Sequence, residues 1–212
     1  MRAMPLGEKA YLLDGLLGPA YAWADQIRDL NWEGVTDVVP GYESVGIYVD
    51  PERFDAAHLD TLEGMPLAHS PVPRAHRIPV CYEMGEDLDE AASALGIKEE
   101  ALVRAHLSVT YRCVTIGFCP GFPYLQRLDP SIAGLPRRPD PRTRVPVGSV
   151  AITGSQTGVY PLERPGGWWL IGTTPLVLVS TQDAYFPIRA GDDVSFERIS
   201  EAEFETLRGR RL

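Results

Sequence analysis

The alternation of apolar and polar positions predicts mixed helices and strands in the first third of the chain. Residues 10–14 have the pattern of a short strand, and apolar residues recur at helical spacing from Pro19 to Leu30. Two β-rich runs within residues 35–50 are separated by Pro40-Gly41, which indicates a hairpin. Residues 51–62 again follow a helical pattern. This order of elements is typical of a small α/β sandwich.

After a proline-rich stretch from Met65 to Pro79, the pattern changes to short strands. Residues 77–83 resemble a strand, and residues 86–108 have the spacing of two short helices. Short β-branched and aromatic runs then alternate with glycine and proline turns: SVAIT, GVYP, WWLIG, LVLVS and DVSFERI. Such a series is typical of a sandwich or closed barrel. The predicted fold class is therefore α+β, with a small N-terminal sandwich in residues 1–76 and a β-barrel in residues 77–212.

The composition excludes several classes of function. The formal charge of −9 argues against a nucleic-acid partner, because phosphate backbones require a basic surface. The chain has neither the apolar segment of a signal peptide nor about 18 consecutive apolar residues, so we predict a cytoplasmic protein with no membrane contact. The three cysteines form no CxxC pair and the four histidines have no metal-ligand spacing, so no disulfide or metal site is predicted.

The stretch from Gly117 to Thr174 combines stiff proline loops with glycines, aromatics and clustered arginines. Arg137, Arg142 and Arg144 lie between prolines, which fix the directions of their backbones. A guanidinium binds a carboxylate or phosphate through two parallel hydrogen bonds. This spacing predicts a site for a small anionic substrate. The alternative is a solvated loop whose arginines pair with nearby carboxylates, Glu163 among them.

Four further residues are candidates for this site. Gln156 and Tyr160 offer an amide and a phenol that can read an amide or lactam edge, and Trp168 offers a flat surface for substrate binding. Barrel packing is the alternative for all three. His106 ends a predicted helix just before the glycine-aromatic stretch, so it is a candidate catalytic acid or base. The alternative for His106 is a helix-terminal residue favoured by the helix dipole.

Phe122 and Tyr124 are predicted to anchor a protein partner. Pro120 and Pro123 fix their loop, so little side-chain entropy would be lost on binding. Packing in the core is the alternative for both rings. The motifs of P-loop nucleotide-binding proteins, serine hydrolases, zinc proteases and dinucleotide-binding folds do not occur in the sequence. The residues alone therefore indicate a barrel that binds an anion or an amide, accompanied by a helper domain.

Three segments resemble the signature of the family of 5-oxoprolinase B subunits. They are GFCPGFPYL at 117–125, PRRPDPRTRVPVGSVAITGSQTGVYP at 136–161 and PGGWWLIGTTP at 165–175. The family includes the sporulation kinase inhibitor KipI and the carboxyltransferase domains of the allophanate hydrolase subunit 1 type. The resemblance implies a cyclophilin-like barrel and ATP-dependent opening of 5-oxo-L-proline to L-glutamate. It also implies a partner of the 5-oxoprolinase C-subunit type or the allophanate hydrolase subunit 2 type, which binds ATP mainly or jointly with this chain.

The resemblance leaves two alternative functions open. One is a KipI-like regulator that inhibits a sensor histidine kinase and has no catalysis of its own. The other is a carboxyltransferase-type component of a urea-handling system. Thr173 stands where family members often carry a basic residue, and Arg164 stands where a small residue is usual. These departures concern the identity of the substrate.

Overall fold

The N-terminal unit of the chain is an antiparallel sheet with one helix packed on it. The computed structural model describes residues 1–68 and 72–212, and this unit comprises Met1–Pro73. Its four strands lie in the order β1-β2-β4-β3. Their bounds are β1 Arg2–Pro5, β2 Ala10–Asp14, β3 Val35–Pro40 and β4 Val45–Val49. β3 and β4 form the predicted hairpin, which is closed where Gly41 N–H donates to the Ser44 carbonyl at 2.7 Å.

Two helices belong to this unit, and they differ in how well the sequence predicts them. α1 spans Ala20–Asp29, and its buried face, which includes Trp23 and Ile27, packs into the core of the unit. α2 is only Ala57–Asp60, much shorter than the predicted helix over residues 51–62. The side chains of Asp50 and Asp55 accept backbone N–H groups two residues further on. Such turns compete with helix formation, which accounts for the shorter helix.

The second unit, Arg74–Leu212, contains a seven-stranded sheet that nearly closes into a barrel. The order of its strands is β12-β9-β10-β7-β6-β13-β5. Their bounds are β5 Ala75–Val80, β6 Tyr111–Ile116, β7 Pro123–Gln126, β9 Ser149–Thr153, β10 Gln156–Val159, β12 Trp169–Thr173 and β13 Asp193–Arg198. Cys81 and Thr173 exchange backbone hydrogen bonds of 2.9 and 3.0 Å and so join the two edge strands. The predicted α+β class with a C-terminal barrel is confirmed.

Helices and a two-stranded ribbon surround this barrel. The ribbon pairs β8, Arg142–Val145, with β11, Arg164–Gly166. The helices are α3 Leu88–Ala94, α4 Glu99–Leu107 and α5 Glu201–Leu207, with a short 3₁₀ helix at Tyr82–Met84. α3 contacts β12 and α4 contacts β13, so both helices lie against the barrel wall. No helix in residues 1–68 or 72–212 is long and apolar enough to cross a membrane.

The predicted strand LVLVS is wrong. Residues 176–180 form only isolated bridges, although Leu178 and Val179 are buried in the barrel core. The backbone of Val177 instead bonds to the C-terminal segment, from Val177 N–H to the Arg210 carbonyl at 2.8 Å and from Leu212 N–H back to Val177 at 3.4 Å. The backbone of this buried apolar run is therefore bonded at Val177 and Ser180 without joining the sheet.

The chain between the two units is proline-rich. Its central residues, including His69 of the predicted linker, lie outside the described part of the chain. Ala75 and His76, which the sequence assigns to the N-terminal domain, belong to β5 and pair with Asp193 and Val194 of β13.

A cap at the start of α5 gives a first prediction. The Ser200 hydroxyl accepts the Glu203 backbone N–H, and the Glu203 carboxylate accepts the Ser200 backbone N–H. Ser200→Ala is expected to lower the free energy of unfolding by about 1 kcal/mol in urea denaturation. Thr206→Ala, in the same helix, is the control and is expected to be neutral or slightly stabilising. Equal losses in both variants would contradict the capping role.

Candidate functional site

An aromatic cup at the surface of the second unit is the candidate site that combines most of the predicted residues. Five rings line it together with one arginine and two glycines: Phe118, Phe122, Tyr124, Tyr160, Trp168, Arg137, Gly166 and Gly167. Its cavity volume is about 70 Å³. Neighbouring ring centroids are 5.0–6.1 Å apart with interplanar angles of 67–86°. This edge-to-face packing makes a rigid wall suited to a small, flat molecule.

The turns at the ends of the strands bring these rings together. Phe118 lies in the turn between β6 and β7 with a φ of 65°, a left-handed conformation that is costly for a bulky residue. Its ring is 55% exposed at the edge of the cup. At Gly166 a Cβ atom would lie 2.4 Å from the Tyr160 hydroxyl oxygen, so only glycine allows β11 to approach this ring.

Among the residues that the structure describes, Arg137 is the one charged residue in the lining of the cup. Its backbone is held on both sides. The Trp169 indole N–H donates to the Pro136 carbonyl at 2.7 Å, and Arg138 N–H donates to the Gly167 carbonyl at 2.7 Å. Across the described ranges 1–68 and 72–212, no ion pair or hydrogen bond engages the Arg137 side chain. The backbone at Arg137 is therefore held in place, and its guanidinium is available to a ligand.

Arg142, also predicted to bind substrate, is instead part of a buried ionic cluster. The Asp87 carboxylate is 1% exposed and accepts from Arg142 Nη2 at 2.5 Å, from Arg138 Nη1 at 2.8 Å and from Leu170 N–H at 2.7 Å. The hydrogen bond to Asp87 is the main cause that raises the pKa of Arg142. Arg142 thus fastens β8 to the segment before α3, and the structure does not place it in the cup lining.

Arg144 lies in a solvated position and pairs with a carboxylate, which is the alternative to anion binding considered from the sequence. Its side chain is 76% exposed and donates two hydrogen bonds, of 3.0 and 2.9 Å, to the Glu163 carboxylate. This pair crosses the β8–β11 ribbon, and Arg144 does not line the cup. Of the three predicted anion-binding arginines, the structure places only Arg137 in the cup.

Tyr160 and Trp168, both predicted to bind substrate, lie in the cup. Burial raises the pKa of the Tyr160 hydroxyl to about 12, and the Trp168 backbone amide and Arg137 partly oppose this shift. The hydroxyl therefore stays protonated at neutral pH and can donate a hydrogen bond. Gln156 begins β10 and pairs in register with Gln126 of β7 and Thr153 of β9. It does not line the cup.

The two residues predicted to anchor a partner have different positions. Phe122 is 1% exposed, because its ring packs against Tyr124, Tyr160 and Trp168 at centroid distances of 5.0–5.5 Å. Its ring therefore cannot reach a partner surface in this conformation. Tyr124 is half-buried in the cup wall, and its role at an interface stays a prediction. The exposed ring of the cup is instead that of Phe118. The sequence does not single out this residue, because it stands at the end of a run with the pattern of a strand.

His106, the predicted catalytic acid or base, lies inside the barrel unit with no exposed surface. The Thr157 hydroxyl donates its proton to the Ala151 carbonyl at 2.9 Å, so His106 Nε2–H must donate to Thr157, also at 2.9 Å. His106 Nδ1 then accepts the Tyr82 O–H at 2.7 Å. Burial lowers the pKa of His106 to about 3, so the ring is neutral. Its catalytic role stays a prediction, and neither nitrogen reaches solvent or the cup.

The aromatic cup lacks the features of a nucleotide site, and the described residues contain no metal-binding cluster. No group of three or more His, Cys, Asp or Glu side chains within 1–68 and 72–212 could hold a metal ion. A magnesium-bound triphosphate needs carboxylate ligands and several phosphate-binding donors. The cup, as far as the described residues form it, has one arginine, no lining carboxylate and a volume of about 70 Å³, so it does not fit ATP.

Comparison with known proteins identifies the family. A family model described as the carboxyltransferase domain, subdomain C and D, matches residues 1–187. The 5-oxoprolinase B subunit of Haemophilus influenzae is 45% identical over 210 residues, which cover 92% of this chain and 97% of that protein. The 5-oxoprolinase B subunit of Bacillus subtilis is 35% identical over 209 residues, which cover 90% and 87% of the two chains.

A solved structure shows the same fold. The crystal structure of TTHA0988 superposes on this chain with a TM-score of 0.81 and 37% sequence identity. The match includes 90% of this chain but only 40% of TTHA0988. This chain therefore spans less than half the length of TTHA0988. The resemblance seen in the three sequence segments is confirmed, and the chain belongs to the family of the carboxyltransferase domain, subdomain C and D.

Proposed function

We propose that this chain is the B subunit of an ATP-dependent 5-oxoprolinase, which opens 5-oxo-L-proline to L-glutamate. The observation that carries the proposal is relatedness over almost the whole chain, at 45% and 35% identity, to two proteins named as 5-oxoprolinase B subunits. Hydrolysis adds one water across the ring C–N bond and yields a carboxylate and an amine. The cup supports the proposal because its aromatic rings and unpaired arginine suit a small anion with a flat ring.

The proposed enzyme is a complex. The cup does not fit a triphosphate, and Lys9 and Lys98 both lie outside the glycine-rich stretch. We infer that a partner of the 5-oxoprolinase C-subunit type or the allophanate hydrolase subunit 2 type supplies the nucleotide site. This chain then contributes substrate recognition and is inactive alone.

The test is ATP-dependent release of glutamate from 5-oxo-L-proline. The purified chain is assayed alone and then together with the subunits encoded beside it. Turnover is expected only in the assembled complex and only with ATP. Robust turnover by the single chain would contradict the division of labour. Absence of turnover in the complex, together with inhibition of a co-encoded histidine kinase, would replace the enzyme by a KipI-like regulator.

A further inference from the structure

We propose that the aromatic cup binds a small cyclic carboxylate, with the carboxylate paired to Arg137 and a ring carbonyl accepting a hydrogen bond from Tyr160. In the reaction proposed above this ligand is 5-oxo-L-proline, so the inference rests on that function. It assigns the substrate contacts to two side chains of this chain.

The first argument is that, among the four clustered arginines, one guanidinium has no carboxylate partner that the structure describes and can bind a ligand. Arg138, Arg142 and Arg144 each pair with a carboxylate, whereas Arg137 has no partner among the described residues. No carboxylate from the described part of the chain lines the cup, although the chain as a whole carries a formal charge of −9. An unpaired guanidinium beside aromatic rings attracts an anion, and it can bind a carboxylate through two hydrogen bonds.

The second argument is that the position of Arg137 is fixed before binding. The hydrogen bonds at Pro136 and Arg138 hold the backbone on either side of it. The Arg138 guanidinium also lies 4.8 Å from the centre of the Trp169 ring and bonds to Asp87. Less conformational entropy is therefore lost when a ligand binds, because only the Arg137 side chain has to be ordered.

The third argument concerns the hydroxyl of Tyr160. Burial raises its pKa and the nearby Trp168 backbone amide lowers it slightly, and among the described residues no hydrogen bond takes up its own proton. Tyr160 is 2% exposed as a whole, and its hydroxyl lies beside Gly166 at the wall of the cup. The Tyr160 O–H gains an acceptor when the ring carbonyl of a ligand enters the cup. A ligand that lacks this carbonyl leaves the O–H without an acceptor and binds more weakly.

The two glycines of the cup set the size of the ligand. A methyl group at Gly166 would meet the Tyr160 hydroxyl at 2.4 Å, and one at Gly167 would lie 3.4 Å from Pro141 Cβ. With the five rings already in edge-to-face contact, the space of about 70 Å³ suits a five-membered ring. Larger carboxylates require Phe118 at the open edge to move.

The experiment titrates the full chain with 5-oxo-L-proline and with its neutral amide, 5-oxo-L-prolinamide, and follows binding by NMR. Arg137→Ala is expected to weaken binding of the acid about 10- to 100-fold and to leave the amide nearly unaffected. Tyr160→Phe is expected to weaken both ligands by about 2- to 10-fold. The control is Arg77→Ala, which removes an exposed guanidinium of the same unit that pairs with Glu197 outside the cup.

The outcomes separate this inference from the proposed function. Loss of discrimination between acid and amide in Arg137→Ala, with normal discrimination in Arg77→Ala, supports the assignment. Equal affinity of wild type and Arg137→Ala for the acid, or no binding by the full chain, overturns it even if the assembled complex releases glutamate. If the complex fails to release glutamate while Arg137-dependent binding persists, the proposed function fails and the carboxylate site stands.

Discussion

Replacement of Asp87 by alanine is expected to lower the free energy of unfolding by about 3–5 kcal/mol, the range observed when one partner of a buried ion pair is removed. The carboxylate neutralises Arg138 and Arg142 and also accepts the Leu170 backbone N–H. Its removal leaves Arg138 with only Glu90, Arg142 with only a 3.3 Å contact to Glu86, and the Leu170 amide without its acceptor. Urea denaturation of the full chain measures the loss.

The matched control is Asp89→Ala in the first turn of α3, where the carboxylate is exposed. Its contribution is limited to the helix dipole, so a loss below about 1 kcal/mol is expected. Similar losses in Asp87→Ala and Asp89→Ala would show that the ionic cluster does not stabilise the fold. Asp87→Asn keeps the shape and one acceptor oxygen, so its stability is expected to lie between wild type and Asp87→Ala.

Acidification is expected to destabilise the protein through His106. The unfolded chain protonates this imidazole below its ordinary pKa of 6.5, whereas burial keeps the folded ring neutral until the pH approaches 3. Between these values the unfolded state binds more protons, so stability falls as the pH falls. A group with these two pKa values contributes about 2 kcal/mol of loss between pH 8 and pH 5.

His106→Gln isolates this contribution. Glutamine can still donate to Thr157 and accept from Tyr82 but cannot be protonated in this pH range. The variant is expected to be less stable than wild type at pH 8, and its loss between pH 8 and pH 5 is expected to be about 2 kcal/mol smaller. Parallel pH profiles of the two proteins in urea denaturation would contradict the neutral, buried histidine.

Local patterns in the sequence predict the elements that depend on local contacts. The α1 helix and the hairpin around Pro40-Gly41 follow from periodicity and turn chemistry. The apolar run at residues 176–180 is not a strand, because its backbone partner is the C-terminal segment, about 30 residues away. Periodicity reports that such a run is buried but contains no information about which backbone it meets.

Sequence patterns are even less able to predict which residues form the candidate site. Three arginines with similar spacing and flanking prolines look alike in the sequence, yet Asp87 engages Arg142 from 55 positions away and Glu163 engages Arg144. Only the fold decides that Arg137 has no carboxylate partner among the described residues. Likewise, the proline-fixed loop suggests exposed aromatics, but the ring of Phe122 is covered by its neighbours in the cup.

Steady-state kinetics of the assembled complex test most directly whether this chain recognises the substrate through its aromatic cup. ATP-dependent glutamate release is measured for wild type, Arg137→Ala and the control Arg77→Ala, each combined with the same partner subunits. The account predicts that Arg137→Ala raises KM for 5-oxo-L-proline about 10- to 100-fold, with a much smaller change in kcat, whereas Arg77→Ala resembles wild type. An unchanged KM in Arg137→Ala would contradict the account.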